Sequence, residues 1–204
     1  MTLKFYTNPM SRGQIARWAL HEAGADYEQV LLDYDTTMKA AAYLAVNPMG
    51  KVPAIDHDGK VVTEGAAICA YLADAFPDAG LAPTAYERAD YYRWLFFAAG
   101  PLESAITNRS MGFEVEPDKE KMAGYGNYDH VVDALDRKFQ TDDHVCGTRF
   151  TMADVYVGAQ LVWGTQFGTL PKRDSFLAYG QRLTERTAYK SAKAIDDALI
   201  AENS

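Results

Sequence analysis

The sequence predicts a two-part fold, in which an α/β domain with a mixed sheet precedes an all-α helical domain. Short strand-like runs alternate with helical periods through the first part of the chain, and strand signals nearly vanish beyond residue 80. Between the two parts lies FPDAGLAPTAYE at 76–87, whose two prolines and one glycine are typical of a linker. We therefore expect one domain at 1–77 and a second at 86–204.

The first part has the predicted order βαβαββα. The elements are a strand at 3–6, a helix at 11–23, a strand at 27–32, a weaker helix at 37–45, strands at 52–55 and 61–62, and a helix at 64–75. Because a helix joins the first two strands, they must be parallel. The turn-rich DHDG at 56–59 is too short for such a crossover and allows only an antiparallel hairpin. The sheet is therefore mixed.

The second part contains helical periods throughout. The segment YERADYYRWLFFAAGPLESAI predicts a long helix that Pro101 can bend. YDHVVDALDRKF places its apolar residues on one helical face, and MADVYVGAQLVWG and SFLAYGQRLTERTAY predict further helices. In FTMADV, Thr151 and Asp154 have the spacing of a capping box, which indicates a role in folding rather than in chemistry.

Composition excludes several classes of function. The chain has 204 residues, 48% of them hydrophobic, so it can bury a sizeable core. Its net charge is -8 and no run of cations exceeds the pair Lys172–Arg173, which argues against nucleic acid and anionic membranes as partners. Since no apolar stretch approaches a membrane span, we expect a cytoplasmic protein.

Neither the cysteines nor the histidines have a pattern that indicates a metal. Cys69 and Cys146 lie far apart without a metal-ligand spacing and are expected to be free thiols in a reducing compartment. The four histidines lack the spacing and the acidic or cysteine neighbours of a metal site. We therefore predict that the protein holds no metal.

The tripeptide NPM occurs twice, at 8–10 and at 47–49. Its flanking residues differ and no third copy exists, so we interpret the second copy as coincidence rather than as an internal repeat. Pro53 follows the second copy and heads a strand, where its missing N–H costs least. Two interpretations of Pro53 stay open. It can simply start the strand, or the Val52–Pro53 bond can be cis, which would leave the N–H and C=O of Val52 free to pair with an extended peptide.

Three ordered blocks carry a resemblance to a known family. They are NPMGKVPAI, VVTEGAAICAYLADAF and the late FTMADVYVG. A fourth stretch, NPMSRG, lies in the first turn of the chain, between the first strand and the first helix. With these motifs the chain resembles the soluble glutathione transferases, of the bacterial type with serine in the first turn, over essentially its whole length. The resemblance implies a thioredoxin-like glutathione-binding domain at 1–77, and a helical domain at 86–204 that contributes the pocket for the electrophile.

The resemblance also implies where glutathione binds. The start of the helix at 64–75 would receive the γ-glutamyl end, with Glu64 pairing the ligand's ammonium group and free N–H groups meeting its carboxylate. Many family members have serine where this chain has Gly65, so one hydroxyl contact is lost and the N–H remains. The block around Val52 and Pro53 would bind the peptide backbone of glutathione. Lys51 would reach its carboxylates, and Lys39 is a weaker candidate for the glycyl carboxylate.

The chemistry requires a group that ionises the glutathione thiol. A thiol with a pKa near 8.5 is only a few per cent ionised at pH 7, and the thiolate is the nucleophile. Lowering the pKa by about two units takes about 2.7 kcal/mol of preferential thiolate stabilisation. Ser11 offers a hydroxyl at a helix start and Arg12 a neighbouring charge, so we assign the catalytic role to Ser11 with Arg12 in support. Tyr6 ends the strand and lies too early to be our first choice.

The sequence thus predicts a glutathione transferase that adds glutathione, its co-substrate, to hydrophobic electrophiles and that forms a homodimer. The same thiolate would also serve a glutathione-dependent dehalogenase, isomerase or peroxidase. Because residue 11 is serine rather than cysteine, thiol–disulfide exchange through a mixed disulfide at that position is not possible. A non-catalytic binding protein with the same fold stays open because Gly65 has already lost one ligand contact.

Overall fold

The structure, a computed structural model, describes residues 2–202 of the chain. Its first part has the predicted order βαβαββα. The elements are β1 (Leu3–Thr7), α1 (Gly13–Ala23), β2 (Glu28–Leu31), α2 (Ala41–Leu44), β3 (Ala54–His57), β4 (Lys60–Thr63) and α3 (Gly65–Ala75). The weak helix expected at 37–45 is divided into a 3₁₀ turn, Thr37–Lys39, and the single turn of α2. Helix α1 begins two residues later than predicted because residues 8–12 form a turn.

The four strands form the predicted mixed sheet, in the order β2-β1-β3-β4. Strands β1 and β2 are parallel, whereas β1–β3 and β3–β4 are antiparallel pairs. Alternate residues of β1 are buried, as expected for a strand covered by helices on one face: Leu3, Phe5 and Thr7 are buried and Lys4 and Tyr6 are half-buried. Tyr6 packs on a small buried cluster that includes Met38 and Tyr43.

The second part is helical, with α4 (Arg88–Phe97), α5 (Glu103–Ser110), α6 (Tyr128–Thr141), α7 (Met152–Phe167) and α8 (Asp174–Thr184). A π-helical turn, Ala98–Leu102, joins α4 to α5 and contains Pro101. The long predicted helix is therefore interrupted by a π-helical turn at the point where proline removes a main-chain donor. In the part of the chain that the structure describes, no helix combines the length and apolar composition of a membrane span.

The last helix, α9 (Thr187–Glu202), groups with the first unit. Contacts divide the chain into one unit that ends at Ala82 and resumes at Thr184, and a second unit, Pro83–Leu183. This division differs from the one that we predicted, in which the whole of 86–204 formed the helical domain. The reason is physical, because α9 packs against α1 and so joins the unit that contains α1.

Both cysteines are free thiols of low reactivity. Cys69 on α3 is fully buried, and burial raises the pKa of its thiol. Cys146 is half-buried, and burial likewise raises its pKa to about 11. Since a thiol reacts as its thiolate, neither cysteine has the environment of a nucleophile.

Candidate functional site

The register of the sheet brings the predicted site residues to one edge. Tyr6 pairs with Ala54, and Ala54 pairs with Thr63, so the end of β1, the start of β3 and the end of β4 lie side by side. The Ser11 turn follows β1, Val52 and Pro53 precede β3, and Glu64 follows β4. Neighbouring strands lie about 4.8 Å apart, so the ends of β1 and β4, on either side of β3, are separated by about 10 Å. An extended tripeptide has about that length.

Asn8 builds the turn that carries Ser11. Its side-chain Oδ1 accepts the N–H of Met10 at 2.9 Å, and its carbonyl oxygen accepts the N–H of Ser11 at 3.1 Å. Its Nδ2 donates to the carbonyl oxygen of Leu32 at 2.8 Å, which ties the turn to the residue after β2. These bonds define an Asx turn, for which asparagine before proline is a suitable sequence.

Asn47, in the second NPM, makes the same three kinds of bond. Oδ1 accepts the N–H of Met49 at 3.0 Å, the carbonyl oxygen accepts the N–H of Gly50 at 2.8 Å, and Nδ2 donates to the carbonyl oxygen of Lys51 at 2.8 Å. The two copies are not an internal repeat, but their shared sequence is not a coincidence, because it forms one kind of turn twice. Neither asparagine is among the site residues predicted above, although the Asn-Pro dipeptide is a turn signal at both positions.

Ser11 is half-buried and its hydroxyl is used twice within the turn. It donates to the carbonyl oxygen of Asn8 at 2.6 Å and accepts the N–H of Gly13 at 2.9 Å. Gly13 is required here, because a Cβ at this position would lie 2.0 Å from Oγ1 of Thr7 and 2.9 Å from Oγ of Ser11. To donate a hydrogen bond to a thiolate, the Ser11 O–H must rotate away from Asn8, while the N–H of Gly13 continues to orient the oxygen.

The start of α3 presents main-chain donors beside a carboxylate. Among residues 2–202, the N–H groups of Gly65, Ala66 and Ala67 have no hydrogen-bond partner, and neither does the exposed carboxylate of Glu64. Glu64 has φ +64°, a conformation that costs a non-glycine residue about 1–3 kcal/mol and that clusters at functional sites. Free N–H groups suit a carboxylate and Glu64 suits an ammonium group, so together they match the α-amino acid end of a ligand.

Val52 has a main chain that is available for pairing. The Val52–Pro53 bond is cis, and within the described residues the N–H and C=O of Val52 make no hydrogen bond. The preceding carbonyl group, that of Lys51, is fixed by Tyr43, whose hydroxyl donates to it at 2.6 Å. Burial raises the pKa of Tyr43 to about 12, which keeps this phenol a donor. The main chain of Val52, just before β3, therefore offers one donor and one acceptor to an extended peptide.

The two candidate lysines differ in their surroundings. Nζ of Lys39 donates to the carbonyl oxygen of Gly50 at 2.7 Å, so this side chain already holds the loop before Lys51. Lys51 is exposed, and nowhere in 2–202 does its ammonium group meet a partner. Lys51 is thus the better placed of the two for a ligand carboxylate. Arg12 is exposed at the start of α1, where its carbonyl oxygen accepts the N–H of Ile15.

The second unit contains a cavity of about 190 Å³ between the end of α5 and the start of α6. The guanidinium group of Arg109 lies 4.0 Å over the ring of Tyr128 at its wall. The other walls are formed by Ala105, Phe113, Glu114, Val115, Tyr125, Asn127 and Asp129. The aromatic ring of Phe113 lines this cavity, whereas Trp94 on α4 is a buried core residue. Across residues 2–202 no cluster of three or more metal-ligating side chains was found.

The family model of the glutathione S-transferase N-terminal domain matches residues 1–74. The chain is 30% identical over 206 residues to glutathione S-transferase GstA of Escherichia coli O157:H7, and the match covers 98% of both chains. It is also 28% identical over 183 residues to glutathione S-transferase GST-4.5 of Xanthomonas campestris pv. campestris, covering 81% of this chain and 84% of that protein.

Solved structures give the same result. A glutathione transferase from Methylococcus capsulatus str. Bath is similar with a TM-score of 0.78 and 28% identity, over 97% of this chain and 100% of that one. A sphingomonad glutathione S-transferase, solved in complex with glutathione, has a TM-score of 0.77 and 29% identity, over 95% and 98% of the two chains. The similarity therefore extends through both units.

Proposed function

This chain belongs to the glutathione S-transferase family, and from that premise we propose that it binds glutathione at the sheet edge, ionises its thiol and conjugates it to hydrophobic electrophiles. One observation carries the proposal. The N–H groups at the start of α3 and the carboxylate of Glu64, which have no partner among residues 2–202, lie with the Ser11 turn at one edge of the sheet. The main chain of Val52, likewise unpaired within that range, lies between them.

Glutathione fits this edge in one direction. Its γ-glutamyl end carries both a carboxylate and an ammonium group, which suit the N–H groups of α3 and the carboxylate of Glu64. Its cysteine would pair with the main chain of Val52, next to Pro53, and its thiol would then face the Ser11 turn. Lys51 would meet a carboxylate of the ligand, with Lys39 supporting the loop. Gly65 contributes its N–H alone.

Ser11 acts on the thiol by donating a hydrogen bond to the thiolate. A hydrogen bond to the charged form lowers a pKa, and the nearby charge of Arg12 acts in the same direction. The reaction then needs only the approach of an electrophile, because the sulfur already carries the electron pair that forms the new bond. The proton leaves to solvent, and the leaving group departs from the electrophile.

A direct test uses the wild-type protein. We expect titration calorimetry to detect binding of glutathione, and a general aromatic halide to be conjugated in a glutathione-dependent assay. An ultraviolet titration of the enzyme–glutathione complex should give a thiol pKa below the free value of about 8.5. Binding without turnover over a panel of electrophiles would instead support the non-catalytic binding protein.

Glu64→Gln is expected to raise the KM for glutathione about tenfold and to change kcat by less than twofold. The substitution removes the charge that pairs the ligand's ammonium group but leaves the main-chain donors in place, and a charge-assisted hydrogen bond contributes about 1.5–3 kcal/mol. Glu28 is also exposed and lies on β2, so Glu28→Gln is a matched control with no expected effect. An unchanged KM would remove Glu64 from the site.

The electrophile pocket is assigned to the second unit. Phe113 supplies an apolar wall to its cavity, and Arg109 on Tyr128 supplies a cation that can interact with polarised substituents. The dehalogenase, isomerase and peroxidase alternatives are not favoured by the names of the relatives. The cytoplasmic location and the absence of a metal stay predictions from sequence.

We assign the homodimer contact to a face of α4. Tyr92 and Phe96 lie one helical turn apart and are 46% and 69% exposed, so they present neighbouring apolar rings to solvent. A two-fold interface uses the same patch on both subunits, so a charge placed there is repeated across the axis.

Phe96→Glu is therefore expected to convert the dimer to a monomer, measured by sedimentation velocity at low micromolar concentration. Phe167, on α7, is 71% exposed and provides the matched substitution Phe167→Glu, which should leave the dimer intact. If Phe96→Glu sediments like the wild type, this face of α4 is not the interface.

A further inference from the structure

Two ion pairs, one partly exposed and one buried, connect α1 with α9 and the residue before it. On the surface side, Arg186 donates to both oxygens of Glu22 at 2.6 and 2.7 Å, just before α9 begins. In the interior, Nε of Arg17 lies 3.0 Å from Oδ2 of Asp196. Arg186 is 35% exposed, whereas the side chains of Arg17 and Asp196 are 1% and 0% exposed. The second pair is therefore a fully buried ion pair.

Arg17 connects four elements of the first unit. It belongs to α1, its guanidinium group lies 5.2 Å from the ring centroid of Phe5 on β1, and its Nη1 donates to the hydroxyl of Tyr27 at 3.0 Å, just before β2. Asp196 on α9 completes the set. Arg17 thus contributes to the position of α1 relative to both the sheet and the last helix.

The hydrogen bonds around Tyr27 form a chain with one consistent direction. Ser191 donates to the carbonyl oxygen of Ala188 at 3.2 Å, so its oxygen accepts from Nδ1 of His21 at 2.8 Å. Nε2 of the neutral His21 then accepts from Tyr27 at 3.2 Å, and Tyr27 accepts from Arg17. Burial and, less strongly, the charge of Arg17 lower the pKa of His21, which favours this neutral form.

A buried ion pair of this kind is not a source of stability by itself. Desolvation costs about as much as the attraction returns, and well-packed apolar residues of similar size are often at least as stable. Burial outweighs the attraction of Arg17 here, since the pKa of Asp196 is raised to about 6. The best-attested use of such a pair is to fix one arrangement of the elements that it joins.

The position of α1 determines the geometry of the Ser11 turn. The first residue of α1, Gly13, donates its N–H to Oγ of Ser11 at 2.9 Å, and the next, Gln14, donates to the carbonyl oxygens of Ser11 at 3.2 Å and, through Nε2, of Pro9 at 2.6 Å. A shift of α1 would therefore move the serine hydroxyl.

We propose that Arg17 and Asp196 are positioning residues for the reaction: they hold α1 between the sheet and α9, and thereby aim the Ser11 hydroxyl at the thiol. The proposal rests on the proposed function, because it requires a thiol at the Ser11 turn. It adds that the C-terminal helix, outside the segment that the N-terminal family model matches, is needed for the chemistry.

The test replaces the pair by apolar residues, Arg17→Met with Asp196→Leu, so that no buried charge is left alone. The matched control, Glu22→Gln with Arg186→Gln, removes the other ion pair between the same segments. For each protein we would measure the melting temperature, the KM for glutathione, kcat, and the pKa of the bound glutathione thiol.

We expect the apolar variant to melt near the wild type, with kcat at pH 6.5 lowered about tenfold, the thiol pKa raised by about one unit and the KM for glutathione changed by less than threefold. The control should keep the wild-type kcat and thiol pKa. A wild-type kcat and thiol pKa in the apolar variant would overturn the inference. A wild-type enzyme that does not lower the thiol pKa would instead overturn the proposed function.

If the apolar variant does not fold, Tyr27→Phe decides the question. It removes only the hydroxyl that Arg17 and His21 share and keeps the ring, so it tests the same arrangement with a smaller change. We then expect kcat to fall about threefold and the pKa of the bound thiol to rise by about half a unit. A wild-type thiol pKa in Tyr27→Phe would overturn the inference.

Discussion

Asp154→Ala is expected to lower the free energy of unfolding by about 4 kcal/mol, because it leaves several buried donors without an acceptor. The fully buried carboxylate accepts the N–H of Val145 at 2.7 Å, the N–H of Thr151 at 2.8 Å and the hydroxyl of Tyr179 at 2.8 Å. Burial, followed by the charge of Asp154, raises the pKa of Tyr179, so this phenol remains a donor. Each unpaired buried donor costs about 1–3 kcal/mol.

The measurement is thermal and urea unfolding followed by circular dichroism, in which a loss of this size lowers the melting temperature by about 8–16 °C. Asp133 provides the control, since it is an aspartate that is 51% exposed and paired with Arg173 at the surface. Asp133→Ala should cost about 0–1 kcal/mol. A loss below about 1 kcal/mol in Asp154→Ala would mean that its donors find other acceptors.

Much of the first unit could be predicted from the sequence because its signals are local. The strand periods, the crossover helix and the short turn at Asp58–Gly59 determine the strand directions without knowledge of distant contacts. The spacing of Thr151 and Asp154 likewise predicts the capping box at the start of α7, and the structure confirms it. That local spacing does not reveal that Val145 and Tyr179 also donate to the carboxylate.

The place of α9 could not be predicted, because it depends on contacts with residues far away in sequence. The helices predicted from the sequence end at SFLAYGQRLTERTAY, with no partner for the segment that follows, because a local pattern does not identify distant contacts. Only Arg17, 179 positions earlier, makes Asp196 part of a buried ion pair. The same limit applies to Ser11, for which the sequence indicates both a turn cap and a catalytic hydroxyl, while the structure adds where its hydrogen bonds go.

Ser11→Ala is expected to lower kcat/KM about tenfold or more at pH 6.5, through the loss of the hydroxyl that would stabilise the thiolate. If the bound thiol has a pKa near 6.5, half of it is ionised at that pH, whereas a thiol at the reference value near 8.5 is about 1% ionised. The full loss would therefore be about fiftyfold, and the N–H groups and the charge that remain near the thiol reduce it.

The pH dependence separates this chemical effect from damage to the turn. Because both thiols are ionised at pH 9.5, the ratio of wild-type to variant kcat/KM should approach one as the pH rises. Removal of the hydroxyl also leaves the N–H of Gly13 unpaired, which costs about 0.5–2 kcal/mol as a lost cap. Such damage to the turn would by itself lower the rate by the same factor at every pH.

Ser11→Thr keeps a hydroxyl on the same Cβ and should retain the lowered thiol pKa. A constant ratio across pH, with an unchanged thiol pKa, would restrict Ser11 to its structural role and leave the main-chain N–H groups and Arg12 as the stabilisers of the thiolate.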